Sequence, residues 1–200
     1  IALELGYEEL RRNYYNFGFT KPISINFPSS TFGYMNIKES ISDSELASLG
    51  YGYGITMSPF QIASAYSVFA NSGEYKDFQL LKNEQVTSRK IISNYAASNV
   101  LDALRKVVKD GTGKAAEIRG FSEGGKTGTV HKIKNGTGYA EDSYRASFIG
   151  IAPLSSKSLT IFVSIDEPGL NSYTGGSVAA PVFAKIAESS LNHLGYFEDE

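Results

Sequence analysis

Apolar positions recur at helical spacing in four stretches of the chain and as short dense runs in three others. Leu3, Tyr7, Leu10, Tyr14 and Phe17 stand at steps of four and three, which predicts an amphipathic helix that opens the chain and stops at Gly18. Residues 20–46 hold Pro22, Pro28, Ser29, Ser30 and Gly33 with little periodicity and read as an irregular connection. Ser58-Pro59 then places a Ser cap before a Pro at the first helical position, where a missing N–H is harmless. Ile62, Ala63, Tyr66, Phe69 and Ala70 form the apolar face of that helix, and Asn71-Ser72-Gly73 ends it. Ala97, Val100, Leu101, Leu104, Val107 and Val108 repeat the pattern until Asp110-Gly111. These stripes read as core-facing surfaces.

After residue 115 the texture changes. Lys126 to Ile133 is rich in β-branched residues, Asn135-Gly136 is a strong turn signal, and Tyr144 to Ile151 and Leu159 to Ile165 are short apolar runs. Three strands in sequence predict an antiparallel meander. A last helix is predicted from about Ser177 to Leu194, its start marked by Gly175-Gly176 and its face by Val178, Val182, Phe183, Ile186 and Leu191. Helices, then strands, then a helix indicate an α+β layered domain and not alternating βαβ units.

Composition narrows the function classes. With 200 residues, 42% hydrophobic and 20% charged, the chain has the makings of a sizeable core and no signature of disorder. A net charge of -2 without clustered Lys or Arg gives no electrostatic footprint for nucleic acid. The lack of Cys excludes disulfides and thiolate metal sites, and two isolated His provide no ligand spacing for a metal. No apolar run approaches the ~20 residues that span a bilayer. Thirteen Tyr and twelve Phe beside no Trp fit a packed core with an aromatic rim. Asp166-Glu167 before Pro168 reads as a solvated turn, His131 as a solvent-facing strand residue, and His193 as a helix-end residue favoured by the dipole.

The candidate chemistry lies in Gly124-Gly125-Lys126-Thr127-Gly128-Thr129, which places a cation, two hydroxyls and a bare backbone in one stretch. Gly120, Gly125, Lys126 and Thr127 also satisfy the P-loop expression, and Leu159 to Glu167 resembles an apolar strand with an acidic pair. A P-loop needs a buried strand before it and a helix after it, so that helical N–H groups meet the phosphates. Ala115 to Arg119 is no buried strand, and Gly128 to Gly138 is no helix, so the nucleotide reading is disfavoured. As an edge strand the segment suits an extended peptide ending in a carboxylate. Lys126 supplies charge, Thr127 and Thr129 supply hydroxyl donors, and Gly128 admits a second backbone.

Lys-Thr-Gly is one of three motifs shared by β-lactamases and penicillin-binding proteins, and its neighbours extend the likeness. Tyr51-Gly52-Tyr53-Gly54-Ile55-Thr56-Met57-Ser58-Pro59 with Gln61, Ala63 and Tyr66, and the continuation Phe69 to Gly73, look like the Gly-x-Gly segment and Pro-x-Gln helix of class B penicillin-binding proteins. Gly111-Thr112-Gly113-Lys114-Ala115-Ala116 resembles their link into the Lys-Thr-Gly strand, and Tyr144 to Pro153 the strand after it. Tyr173-Thr174-Gly175-Gly176-Ser177 to Phe183 looks like the loop and helix start beside their active site. The blocks stand in the family's order over nearly the whole chain, closest to the division-specific (septal) peptidoglycan D,D-transpeptidases. Val130 and Asp110 depart from the family's commoner Ala and Gly.

The resemblance implies a β-lactamase/transpeptidase-like α+β fold with three of the family's five antiparallel strands, and an acyl transfer on D-Ala-D-Ala stem peptides without a cofactor. It implies that Lys126 and Thr129 are catalytic and that Thr127, Gly128, Thr129, Tyr173, Gly175 and Gly176 bind substrate. Peptidoglycan stem peptides, β-lactams and cell-division proteins are the implied partners of the intact protein, at the inner membrane with a periplasmic catalytic domain. The Ser-x-x-Lys nucleophile motif is missing, Ser-x-Asn is expected upstream of Ile1, and the chain opens without Met. Residues 1–200 are therefore expected to be the C-terminal part of one transpeptidase domain, inactive by themselves, joined to a membrane only through an absent anchor. Loss of the other strands should leave Leu159 to Ile165 with an exposed apolar edge and favour association, exchange with the missing half or poor solubility. The alternative from another class is a non-catalytic module that grips extended peptides along the Lys126 strand.

Overall fold

The computed structural model describes residues 1–22, 33–82, 85–133, 138–155, 157–169 and 171–196. Contacts divide the chain into two units, Ile1–Ser93 and Asn94–Glu200.

In the first unit the opening helix is broken. Helix α1 spans Ala2–Leu5 and α2 spans Tyr7–Asn16, separated by Gly6 at φ 77. Periodicity counts Gly6 as one more helical step and so predicts one helix; the left-handed φ that turns the backbone there leaves no mark on the apolar spacing. The expected irregular connection over 20–46 is also corrected, since α3 (Asp43–Gly50) begins inside it. Its start is a capping box in which Ser42 accepts from the Glu45 N–H and Glu45 reaches back to Ser42. Pro28, Ser29 and Ser30 of that connection lie outside the described residues. Leu10, Met35, Leu46 and Leu49 form a small core with Tyr7, Tyr14 and Ile55 around it.

Helix α4 (Pro59–Ala70) starts where Ser58-Pro59 predicts, with Ser58 and Gln61 completing a second capping box. Gln61 is buried and its amide serves as a hub. Its Nε2 donates to the carbonyls of Gly18, Phe19 and Lys21 at 3.1, 2.9 and 3.0 Å, and its Oε1 accepts from the N–H of Gly33 and Ser58 at 2.7 and 2.9 Å. Three separate loops thus satisfy their backbone polar groups on one side chain. Strands β1 (Glu74–Lys76) and β2 (Ser88–Lys90) form a two-stranded antiparallel sheet. At three residues each, they are too short to show an alternating pattern.

The second unit matches its expected order closely. Helix α5 (Asn94–Lys109) is followed by a 3-10 turn at Lys114–Ala116, strands β3 (Gly124–Ile133), β4 (Tyr139–Ala152) and β5 (Leu159–Asp166), a π-helical turn at Gly175–Ala179 and helix α6 (Ala180–His193). The sheet order is β3-β4-β5, antiparallel throughout, with Lys126 opposite Ile149 and Phe148 opposite Val163. The predicted Asn135-Gly136 turn lies outside the described residues. Cross-strand pairing puts Phe148, Val163 and Ala152 on one face, where Phe183, Ala187 and Leu191 of α6 cover them and Val108 of α5 joins. Phe148 and Phe183 are both fully buried, with ring centroids 5.0 Å apart. Fully burying a side chain of this kind contributes about 2–3 kcal/mol. This layer sets the position of the strand that carries Lys126.

Candidate functional site

Lys126, Thr127, Gly128 and Thr129 lie on β3, one of the two edge strands of its sheet among the described residues. The segment is extended and is followed by another strand, not by a helix, so the backbone geometry a P-loop requires is missing here. Its start is buried and anchored. Glu123, immediately before β3, is fully buried, and Arg105 of α5 pairs with its carboxylate and donates to its carbonyl at 3.1 Å. The other carboxylate oxygen accepts from the Ile118 N–H at 3.2 Å. Burial pushes the Glu123 carboxyl above its usual range, against the pull of the Arg105 guanidinium.

From this anchor the strand emerges into solvent. Lys126 is exposed, and its Nζ donates to the Thr127 carbonyl at 2.8 Å. The Thr127 hydroxyl lies 2.8 Å from that of Thr112, which sits in the loop after α5. The Thr129 hydroxyl accepts from the Gly175 N–H at 3.0 Å. That bond uses one lone pair of Thr129 and leaves its hydrogen for another acceptor.

The two glycines before α6 bring the loop onto the strand. A Cβ on Gly175 would sit 2.2 Å from the Ser147 carbonyl oxygen and 2.6 Å from that of Gly128, and one on Gly176 would sit 2.2 Å from the Thr112 carbonyl oxygen. Any larger residue would force the backbones apart. Thr174 and Ser177 close the turn as a reciprocal cap, Thr174 accepting from the Ser177 N–H and Ser177 from the Thr174 N–H at 3.2 Å each. Thr127, Gly128, Thr129, Gly175 and Gly176 therefore converge, with Lys126 at the strand's entry. Tyr173 stands one step away, its ring stacked on Tyr144 at 4.2 Å and 20°.

Several residues have partners that the sequence reading did not assign. Thr112 sits in a motif block but shows no chemical signal of its own. Tyr144 joins the cluster because the register places it opposite His131, whose ring centroid is 4.5 Å away. Partial desolvation, then proximity to Tyr173, push the Tyr144 hydroxyl above its ordinary value. The carboxylates of Asp166 and Glu167 are exposed, as a solvated turn implies, but not idle. Lys132 contacts Asp166 at 3.1 Å and Glu167 at 2.7 Å, and Arg145 reaches Asp166 at 3.1 Å. Lys132 holds both carboxyls below their usual values, helped by Arg145 at Asp166 and by the Ser143 hydroxyl at Glu167. Among the described residues no group of three His, Asp or Glu is placed to hold a metal ion, and no helix is long and apolar enough to cross a membrane.

Residues 1–188 match the family described as the penicillin binding protein transpeptidase domain. The "Probable peptidoglycan D,D-transpeptidase PbpC" of Pseudomonas aeruginosa is 37% identical over 196 residues, which cover 97% of this chain and 34% of that relative. The apo transpeptidase domain of penicillin-binding protein 3 from Burkholderia pseudomallei superposes with a TM-score of 0.90 at 32% identity, over 100% of this chain and 61% of that one. Penicillin-binding protein 3 of Mycobacterium tuberculosis, solved with aztreonam, gives 0.84 at 26% identity over 100% and 50%. The chain thus spans about a third of the length of the curated relative. It belongs to the penicillin-binding-protein transpeptidase family.

Proposed function

We propose that the protein to which this chain contributes is a serine D,D-transpeptidase that cross-links peptidoglycan, and that β3 is its substrate-binding strand. The observation that carries the reading is the convergence of the Thr127 and Thr129 hydroxyls with Gly175 along an exposed edge that has Lys126 at its entry. Lys126 provides the positive field, and the two hydroxyls receive the donor's terminal carboxylate. Gly128 lets the stem peptide's backbone approach β3, Gly175 and Gly176 hold the facing loop, and Tyr173 stands at the rim.

In the proposed reaction a Ser oxygen outside this chain attacks the carbonyl between the two D-Ala residues. The C–N bond breaks and the leaving D-Ala amine takes a proton. An amine of a neighbouring stem then attacks the acyl-enzyme and restores the Ser hydroxyl. The Thr129 N–H serves as one oxyanion donor and the nucleophile's own N–H as the other; loss of one such donor typically costs about 10²–10³ in rate. β-Lactams acylate the same Ser, a reading supported by the aztreonam complex of the structural relative.

The test is acylation of the full-length protein by benzylpenicillin, followed by mass spectrometry. A stoichiometric adduct is expected, slowed at least about 10²-fold by Lys126→Ala with an unchanged circular dichroism spectrum. Residues 1–200 alone, without Ser-x-x-Lys, should form none. Failure of the full-length protein to acylate while it still binds D-Ala-D-Ala peptides would instead favour a non-catalytic peptide-binding module. We further propose the septal role, with a membrane anchor outside the chain and a periplasmic domain. Undivided filaments on depletion support that part, and swollen cells with normal septa overturn it.

A further inference from the structure

The Thr112–Thr127 contact is a hydrogen bond on the substrate-facing strand whose direction the protein leaves open. Each hydroxyl has a single hydrogen, so one of the two must donate and the other accept. If Thr127 donates, its hydrogen is spent on Thr112 and it meets a ligand only as an acceptor. If Thr112 donates, the Thr127 hydrogen is free for a ligand. Thr129 has no such ambiguity, because the Gly175 N–H can only donate to it.

The backbone that carries Thr112 is held from two sides. Gly111 and Gly113 donate to the carbonyls of Lys106 and Val107 at 3.1 and 3.0 Å, which ties the loop to the last turn of α5. On the other side, Gly176 packs directly against the Thr112 carbonyl. The Thr112 hydroxyl is thus presented to Thr127 by a fixed loop. We propose that Thr112 is a positioning residue whose hydroxyl donates to Thr127 and turns the Thr127 hydrogen toward the ligand's carboxylate. A carboxylate only accepts, so it selects this direction, and the chain Thr112 to Thr127 to carboxylate is polarised cooperatively. An esterified terminus carries no full charge to polarise it, so Thr112 contributes to discrimination between acid and ester.

This inference rests on the carboxylate-binding role given above to Thr127. The experiment measures the second-order acylation rate of the full-length protein with benzylpenicillin and with benzylpenicillin methyl ester, and compares their ratio. Thr112→Val should lower the acid-to-ester ratio by about two- to threefold, because Thr127 keeps its own bond to the carboxylate and loses the polarisation and orientation that Thr112 supplies, and Thr112→Ser should restore it. An unchanged ratio in Thr112→Val, or a ratio that Thr112→Ser does not restore, overturns the role of Thr112. Thr127→Val separates the two levels. If it leaves the ratio as in the unaltered protein, the carboxylate reading fails and takes this inference with it; if it lowers the ratio while Thr112→Val does not, only the role of Thr112 is lost.

Discussion

The two units hold their loops by different means. In Asn94–Glu200 an apolar layer dominates, with Phe148, Phe183 and Leu191 sealed between sheet and helix. In Ile1–Ser93 the apolar core is smaller, and a single polar side chain, Gln61, gathers the backbone of three loops. Apolar contact is non-directional and tolerates small shifts, whereas a hydrogen-bonded hub either meets its partners or leaves them unsatisfied in a dry interior. The first arrangement suits a sheet whose edge has to stay aligned over many residues. The second suits loops that have no regular partners of their own.

Three substitutions sharpen this contrast. Phe183→Ala should have the largest effect, about 4 kcal/mol in urea unfolding, because it empties the space against Phe148. Amide exchange should then rise throughout β3, β4 and β5. Gln61→Leu keeps the volume but strands the Gly33 and Ser58 N–H groups, so about 3 kcal/mol is expected. Here faster exchange should be confined to those two amides and their loops; a rise across the whole unit would erase the distinction. Arg105→Met should cost about 2 kcal/mol at pH 7, discounted because the Arg105 side chain reaches solvent, and leaves Glu123 buried without its counter-charge. The Glu123 carboxyl is already raised in the folded state, and without Arg105 it rises further. Such a group contributes stability below its unfolded value that is lost as pH rises through the folded one. The deficit should therefore shrink as the pH falls from 7 toward the ordinary carboxylate range, as thermal melts at several pH values would record.

Legibility follows the same division. The elements of the second unit show in the sequence because their order comes from apolar spacing: Ala97 to Val108 for α5, the short runs at 144–151 and 159–165 for β4 and β5. Lys126 to Thr129 show as well, since charge, hydroxyl and glycine in one strand have a chemical meaning before any contact is known. Contacts made by single polar atoms across distant segments do not show. Nothing local marks Thr112 as the partner of Thr127, or Glu123 as a buried anchor; the latter reads as one more acidic surface residue. Tyr144 meets His131 through a register that runs unbroken from Gly124 opposite Ile151 and shifts only beyond His131, so counting residues back from the turn does not reveal the pair. The break at Gly6 and the start of α3 escape because one residue or one cap decides them.

The strand that carries Lys126 is secured differently at its two ends, by burial near Glu123 and by exposed charges where Lys132 meets Asp166 and Glu167. Dissolved ions reach the second far more readily than the first, where Glu123 is fully buried and Arg105 only partly exposed. At about 1 M salt the screening length falls to roughly 3 Å, enough to slacken the Lys132 and Arg145 bridges while the partly buried Arg105–Glu123 pair is screened much less. Ionic strength is thus a dial that loosens the aromatic end of the hairpin, His131 and Tyr144 included, and leaves the entry at Lys126 in place.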